Sequence, residues 1–279
     1  MKPGQPSQTA VMVCSWRALA QGRTSASRFD DPTALPLLPE EARRAVEAQR
    51  AAPPRGVREK LVRGFTETRA QMMVARTVEI DDRLREAHHP QVVILGAGLD
   101  GRAWRLPELM DAVVFEVDQP DSQRLKRERV GTLTQRAREV HFVPVDFAVD
   151  RLEEALEKAG HDTSRPTTWV WEGVVMYLTP RAVEQTLDQV ARRSAPGSRL
   201  VVQYNGRALV MTLLGLSLRR LGEPLRSAYS PAQMRELLQR HGFAVVRDES
   251  IASIGAQLSP ELGERVRYIR HSRIATAHR

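Results

Sequence analysis

Apolar positions along the chain fall into two regimes. From Gln91 onward they form short runs, Val92–Leu95, Ala112–Val117, His141–Val145, Thr168–Val175 and Arg199–Tyr204. Runs of this length, rich in valine, are what a strand covered on both faces requires. Between them lie stretches of helical character: Asp121–Arg136, Leu152–Gly160 and Pro180–Ser194, the last with Val183, Leu187 and Val190 at helical spacing. Strands alternating with helices predict an α/β fold with a doubly wound sheet. Ser230–His241 reads as a further helix, begun by the Ser230-Pro231 pair and stopped by Gly242, and the apolar stretches around 243–246 and 268–276 supply final strands. Before Gln91 there is no strand pattern. Pro39–Arg50 is charged and alanine-rich with Glu40 and Glu41 in its first turn, Ala51–Gly56 interrupts it, and Arg58–Ala87 resumes helical character. The expected organisation is a helical cover over 1–90 and a core over 91–279. An insertion is expected at about 206–228, with an apolar middle at Leu209–Leu218.

Composition narrows the class. The 279 residues are 42% hydrophobic and 27% charged, close to a soluble globular average and unlike a disordered or membrane protein. The one cysteine, Cys14, cannot close an intrachain disulfide, so the cytoplasm is the expected compartment. Thr9–Trp16, the least polar part of the N-terminus, is too short to span a bilayer or to act as a signal peptide. The net charge of +8 and pI near 10.3 invite a nucleic-acid reading. However, only Lys2, Lys60, Lys126 and Lys158 of the 42 basic residues are lysine, and the arginines are interspersed with acids, as at Glu40-Glu41 beside Arg43-Arg44. That pattern suits a solvated basic exterior and predicts neither a nucleic-acid partner nor a membrane partner.

Candidate chemistry gathers at the strand ends. The first strand runs into Gly96-Ala97-Gly98-Leu99-Asp100-Gly101, a glycine turn that lets a ligand approach the backbone. The following Arg102–Pro107 leaves room for only a short helix. At the end of the second strand, Glu116 and Asp118 face the same way, and Asp118, nearer the tip, can accept hydrogen bonds from ribose hydroxyls, with Gln119 beside it. The third strand offers Asp146 and Phe147, an acid and an aromatic suited to an adenine ring. The fourth carries Glu172 among apolar residues, where a carboxylate needs either a structural arginine or a ligand's ammonium as partner.

These residues carry a family resemblance. Ala75–Asp82 (ARTVEIDD), Val92–Pro107 (VVILGAGLDGRAWRLP), Phe115–Pro120 (FEVDQP), Pro144–Asp146 and Trp171–Leu178 (WEGVVMYL) together resemble the leucine carboxyl methyltransferase family, a class I S-adenosylmethionine-dependent group. The likeness reaches from Ser7–Ala10 to the last strand. It implies a seven-stranded, Rossmann-like methyltransferase sheet with an N-terminal helical cover and S-adenosylmethionine as cofactor. It also implies that Arg76 binds the methionine carboxylate, Gly96 and Gly98 admit the cofactor, and Asp118 holds the ribose. Asp146 and Phe147 would then flank the adenine, Glu172 would receive the ammonium, and Arg17 would be a lesser second contact. Gly101 stands where many relatives carry threonine, which implies a looser turn.

The implied function is methylation of a small molecule, a natural product or metabolite of secondary metabolism, on a carboxylate or another oxygen. A carboxylate is already ionised at neutral pH and needs no general base. None of the seven histidines follows the fourth or fifth strand, and His271 and His278 read as terminal, which favours esterification. Adjacent His88 and His89 point apart, so no metal site is expected. Tyr177, Tyr204, Asn205 and Arg207 are the candidates to position the acceptor, and Arg207 or Arg226 could orient an acidic one. Three alternatives remain: an N-methyltransferase on a natural product or peptide, a nucleic-acid-binding protein with a Rossmann-like core, and a dinucleotide oxidoreductase.

Overall fold

The computed structural model describes residues 7–131, 133–147, 149–207 and 224–279. Four helices come first: α1 (Gln8–Ala20), α2 (Ala34–Leu37), α3 (Glu40–Ala51) and α4 (Gly56–Ala87). Helix α4 ends on His88, which adopts a left-handed conformation and donates its N–H to the Leu84 carbonyl. The first strand, β1 (Gln91–Leu95), begins three residues later and is followed by α5 (Arg102–Arg105), β2 (Val113–Asp118), α6 (Pro120–Val130), β3 (Glu139–Pro144) and α7 (Leu152–Lys158). Then come β4 (Thr167–Trp171), α8 (Pro180–Arg192), β5 (Arg199–Asn205), α9 (Pro231–Arg240), β6 (Ala244–Ser250), α10 (Ile251–Leu258), α11 (Pro260–Val266) and β7 (Ser272–His278).

The seven strands form one sheet in the order β3-β2-β1-β4-β5-β7-β6. The first five are parallel, and β7 inserts antiparallel between β5 and β6. Strand order reverses between β1 and β4, so the crevice beyond their carboxyl ends is where an open α/β sheet admits a ligand. Strand alternation divides the core in two. Val92 and Ile94 point into a layer shared with α4, α10 and α11, while Val93 and Leu95 point toward α7, α8 and α9. Val183, Leu187 and Val190 of α8 are fully buried in that second layer.

Two sequence expectations shift. The helix read over Asp121–Arg136 stops at Val130, because the chain turns there and Arg136 and Ala137 donate their N–H groups to the Ala103 carbonyl. The strand read over Thr168–Val175 stops at Trp171, since Gly173 takes φ 72° and a 3₁₀ turn, Val175–Tyr177, follows. Glu172 therefore sits just past a strand tip rather than within a strand. The insertion expected at about 206–228, including Leu209–Leu218, lies mostly outside the described residues.

Candidate functional site

The site is assembled at the carboxyl edge of the parallel strands. After β1, Gly96 and Gly98 both adopt positive φ, 71° and 47°. A Cβ on Gly96 would collide with the Val174 side chain, and one on Gly98 would lie 3.0 Å from Ala10 Cβ. Glycine is thus required both by backbone conformation and by the closeness of the neighbouring elements. The Asp118 carboxylate reaches the turn that follows β1 and accepts the Gly98 N–H and, at 2.6 Å, the Gln119 N–H. Glu116, on the same side of β2 but deeper, does not reach the edge. It is fully buried against Lys126 Nζ at 2.6 Å, and burial pushes its carboxyl up to about 7 despite the ammonium.

Behind the glycine turn, acids and arginines form one connected chain. Arg17 meets Asp31 at 3.5 Å, Asp31 meets Arg105 at 3.6 Å, and Arg105 meets Asp81 at 2.7 Å. Asp81 also meets Arg102 at 2.7 Å, and Arg102 contacts Asp100 and, at 2.8 Å, Glu172. Glu172 closes the chain on Arg76 at 2.6 Å. Four guanidiniums therefore face four carboxylates, all nearly out of water. Burial works to raise the Glu172 carboxyl, yet Arg76 and Arg102 outweigh it and hold it below the usual carboxylate range. For Arg76 burial wins over Glu172, and its pKa falls. A neutral, pre-paired network of this kind can accept a zwitterion: splitting one internal pair leaves a cation for a carboxylate and an anion for an ammonium.

A cavity of about 810 Å³ opens on this edge. Arg17, Arg76, Gly96, Gly98, Asp118, Gln119, Asp146, Phe147 and Glu172 line it together, so residues from 17 to 172 converge on one space. These features sit beside a match to the leucine carboxyl methyltransferase family over residues 10–191. The chain belongs to that family. A protein of Mycobacterium sp. (strain JLS), named as an S-adenosyl-L-methionine-dependent methyltransferase, is 31% identical over 97% of this chain and 94% of its own length. Among solved structures, a DUF574 family protein from Streptomyces avermitilis covers 98% of each chain with a TM-score of 0.63 at 12% identity. A chain from Thermobifida fusca, named for a methyltransferase, covers 100% of this chain and 96% of its own with a TM-score of 0.58 at 16% identity. Those two likenesses concern the fold. The enzyme is an S-adenosylmethionine-dependent methyltransferase with a Rossmann-like core.

The remainder of this methyltransferase's cavity differs from the sequence reading. Tyr177 and Asn205 line it, but Tyr204 does not. Neighbours in a strand point to opposite faces, and Tyr204 is fully buried in the α8–α9 layer, donating its hydroxyl to Asp248 at 2.7 Å. Arg207 is exposed and lies off the cavity, whereas Arg226 is on its wall. Gln203 takes the place given to Tyr204. Its Oε1 accepts the Gly173 N–H at 3.1 Å and its Nε2 donates to Asn205 and Ser272, fixing the turn that carries Glu172. His271, read as terminal, is a cavity residue. Because β7 runs antiparallel to β5, with Ser272 opposite Asn205, the residue before β7 returns to the edge where β5 ends. Arg69 was also missed, although Arg69, Met72, Met73 and Arg76 repeat at helical spacing along one face of α4.

Gly101 has a different consequence from the loosened turn expected of it. Its φ of −104° suits any residue, but a Cβ there would collide with Thr33 Oγ1. Thr33, from the segment leading into α2, fills that space and donates to Asp31 at 2.6 Å. The turn is closed by a threonine from the N-terminal helices instead of one within the turn.

Proposed function

We propose that this methyltransferase transfers a methyl group to an oxygen of a small, acidic, largely apolar molecule, a carboxylate giving a methyl ester being the leading case. The observation that carries this reading is the segregation of charge along the cavity. Its acids, Asp100, Asp118, Asp146 and Glu172, stand at the ends of β1 to β4, whereas beyond them, among the described residues, the basic groups on the wall are Arg69, Arg181, Arg226 and His271. Met12, Val13, Trp16, Met72, Met176 and Leu178 fill the space between with apolar surface. A basic chamber disfavours a protonated amine and favours an anionic oxygen.

In this reading Arg76 takes the methionine carboxylate and Glu172 the ammonium, Asp118 with Gln119 beside it takes the ribose hydroxyls, and Asp146 with Phe147 borders the adenine. Gly96 and Gly98 give the backbone its close approach. When bound, S-adenosylmethionine supplies an electrophilic methyl carbon on a sulfonium. The protein's part is to hold the acceptor oxygen in line with that carbon and away from water. With a carboxylate no proton need be removed. The cavity placement of His271 weakens the argument for a carboxylate from missing histidines, so a hydroxyl acceptor with His271 as proton acceptor is the second reading. Among the described residues no helix is long and apolar enough to cross a membrane, and a cytoplasmic setting agrees with the lone, buried Cys14.

The test is calorimetric titration with S-adenosylhomocysteine, followed by labelled methyl transfer across carboxylates, phenols and amines. Binding together with an alkali-labile product supports the ester reading. An alkali-stable product on nitrogen overturns O-methylation, and absence of S-adenosylhomocysteine binding overturns the site assignment.

A further inference from the structure

We propose that Arg69, with His271 beside it, is the recognition site for a carboxylate of the acceptor, and so determines which molecules the enzyme accepts. This rests on the methyl-transfer reading of the cavity. The inference begins from a mismatch. Arg17, Arg76, Arg102 and Arg105 point inward and each meets a carboxylate. Arg69 is also partly buried on the cavity wall, yet among the described residues no carboxylate lies within ion-pair distance of it. Its guanidinium instead approaches Met72 Sδ at 3.7 Å and stands 5.0 Å from the centre of the Phe65 ring. A sulfur and a ring face are weak partners for a guanidinium, whose planar donors match a carboxylate two by two.

Burial lowers the Arg69 pKa, and among the described residues no acid opposes it. His271 lines the same wall and its backbone carbonyl is fixed by the Gly206 N–H at 2.7 Å. Burial and then the Arg69 charge hold its imidazole neutral to lower pH than usual, so it can donate one N–H to an oxygen without adding a second positive charge. Position supports the pairing. Arg69 and Arg76 lie seven residues apart on one helix face, about 10 Å along the axis, with Met72 and Met73 between them. Helix α4 thus presents one guanidinium already paired at the cofactor end and, at the far end across apolar surface, one with no carboxylate partner among the described residues.

The experiment uses the full chain saturated with S-adenosylhomocysteine and a matched pair of probes, naphthalene-2-carboxylate and naphthalene-2-carboxamide. Calorimetry gives the affinities and the His271 ring resonances report occupancy. The carboxylate is expected to bind roughly tenfold or more tighter than the amide and to shift the His271 signals. Arg69→Gln should erase the preference while leaving S-adenosylhomocysteine affinity unchanged, and Arg69→Lys should keep part of it. Equal binding of the two probes, binding of neither, or a preference that survives Arg69→Gln overturns the proposal. The His271 shift in the unsubstituted protein decides the matter even where the Arg69 variants fail to fold. Failure of S-adenosylhomocysteine to bind that protein would instead overturn the cofactor-site reading, so the two failures are distinguishable.

Discussion

At the Gly96 end of the cavity, four buried guanidiniums face four carboxylates in a connected chain, whereas at the Arg69 end a guanidinium and an imidazole stand among methionine and aromatic carbon. Both ends draw on the same helix, α4, and open into one space. They differ in what is finished before any ligand arrives. A pre-paired network holds its side chains in place at little cost on binding, which suits a cofactor whose charges are always the same. An end with charge left over is completed by the molecule that enters it, which suits selection among acceptors.

The sharpest way to break this comparison is to remove one charge from each end. Glu172→Gln leaves Arg76 and Arg102 buried with one anion fewer, and breaking a buried network in this way costs about 3–5 kcal/mol. Arg69→Gln removes a cation that has no acid partner among the described residues, and unfolding free energy should move by less than about 1 kcal/mol. Denaturant unfolding without ligand measures both. Equal losses would show that Arg69 is held by a network as Glu172 is.

Asp118→Ala comes next. Two backbone N–H groups already orient this carboxylate, and under the proposed site assignment its loss removes charge-assisted bonds to a ribose. S-adenosylhomocysteine affinity is expected to fall about a hundredfold, with the naphthalene-2-carboxylate preference over its amide intact. If both readouts fell together, the two ends would not be separable.

Gly101→Thr probes how the N-terminal helices are seated on the turn. Alone it overpacks against Thr33 and should cost about 1–3 kcal/mol. Combined with Thr33→Ala it should recover about 1 kcal/mol or more, a coupling read from a double-mutant cycle. Simple additivity would mean that the two side chains do not compete for the same space.

What could be read in advance follows the same division. The turn glycines, Asp118 and Asp146 stand immediately after apolar runs, so those strands delivered their residues to one edge and chain order sufficed, whereas Glu172 lies inside its apolar run and reaches the edge because the strand stops at Trp171 before the Gly173 turn. Arg69 and His271 offered no such marker. Arg69 is one arginine among many, distinguished by the face it shares with Arg76 and by having no acid partner among the described residues, a fact of three dimensions. His271 reaches the edge only because β7 reverses direction. Tyr204 shows the converse: the strand was read correctly, but the parity that puts Gln203 and Asn205 on one face excludes the residue between them. The end of α6 at Val130 was set by a tertiary contact to Ala103, which no local periodicity encodes.

The smallest effect tests whether Arg69 and His271 share one electrostatic environment. Burial and then the Arg69 cation hold the His271 pKa below its ordinary value. A histidine depressed in this way contributes stability that is fully present above the unfolded value near 6.5 and is lost as pH falls through the folded value. Arg69→Gln removes the second cause and leaves the first. The His271 titration, followed by NMR of the ring Cε1–H, should therefore move upward while remaining below that of an exposed histidine, and the acid-side loss of stability should become shallower. Asp118→Ala, which alters charge at the opposite end, should leave that titration in place. An unchanged His271 in Arg69→Gln would separate the two groups and leave the acceptor end without the joint anion site that its contrast with the cofactor end implies.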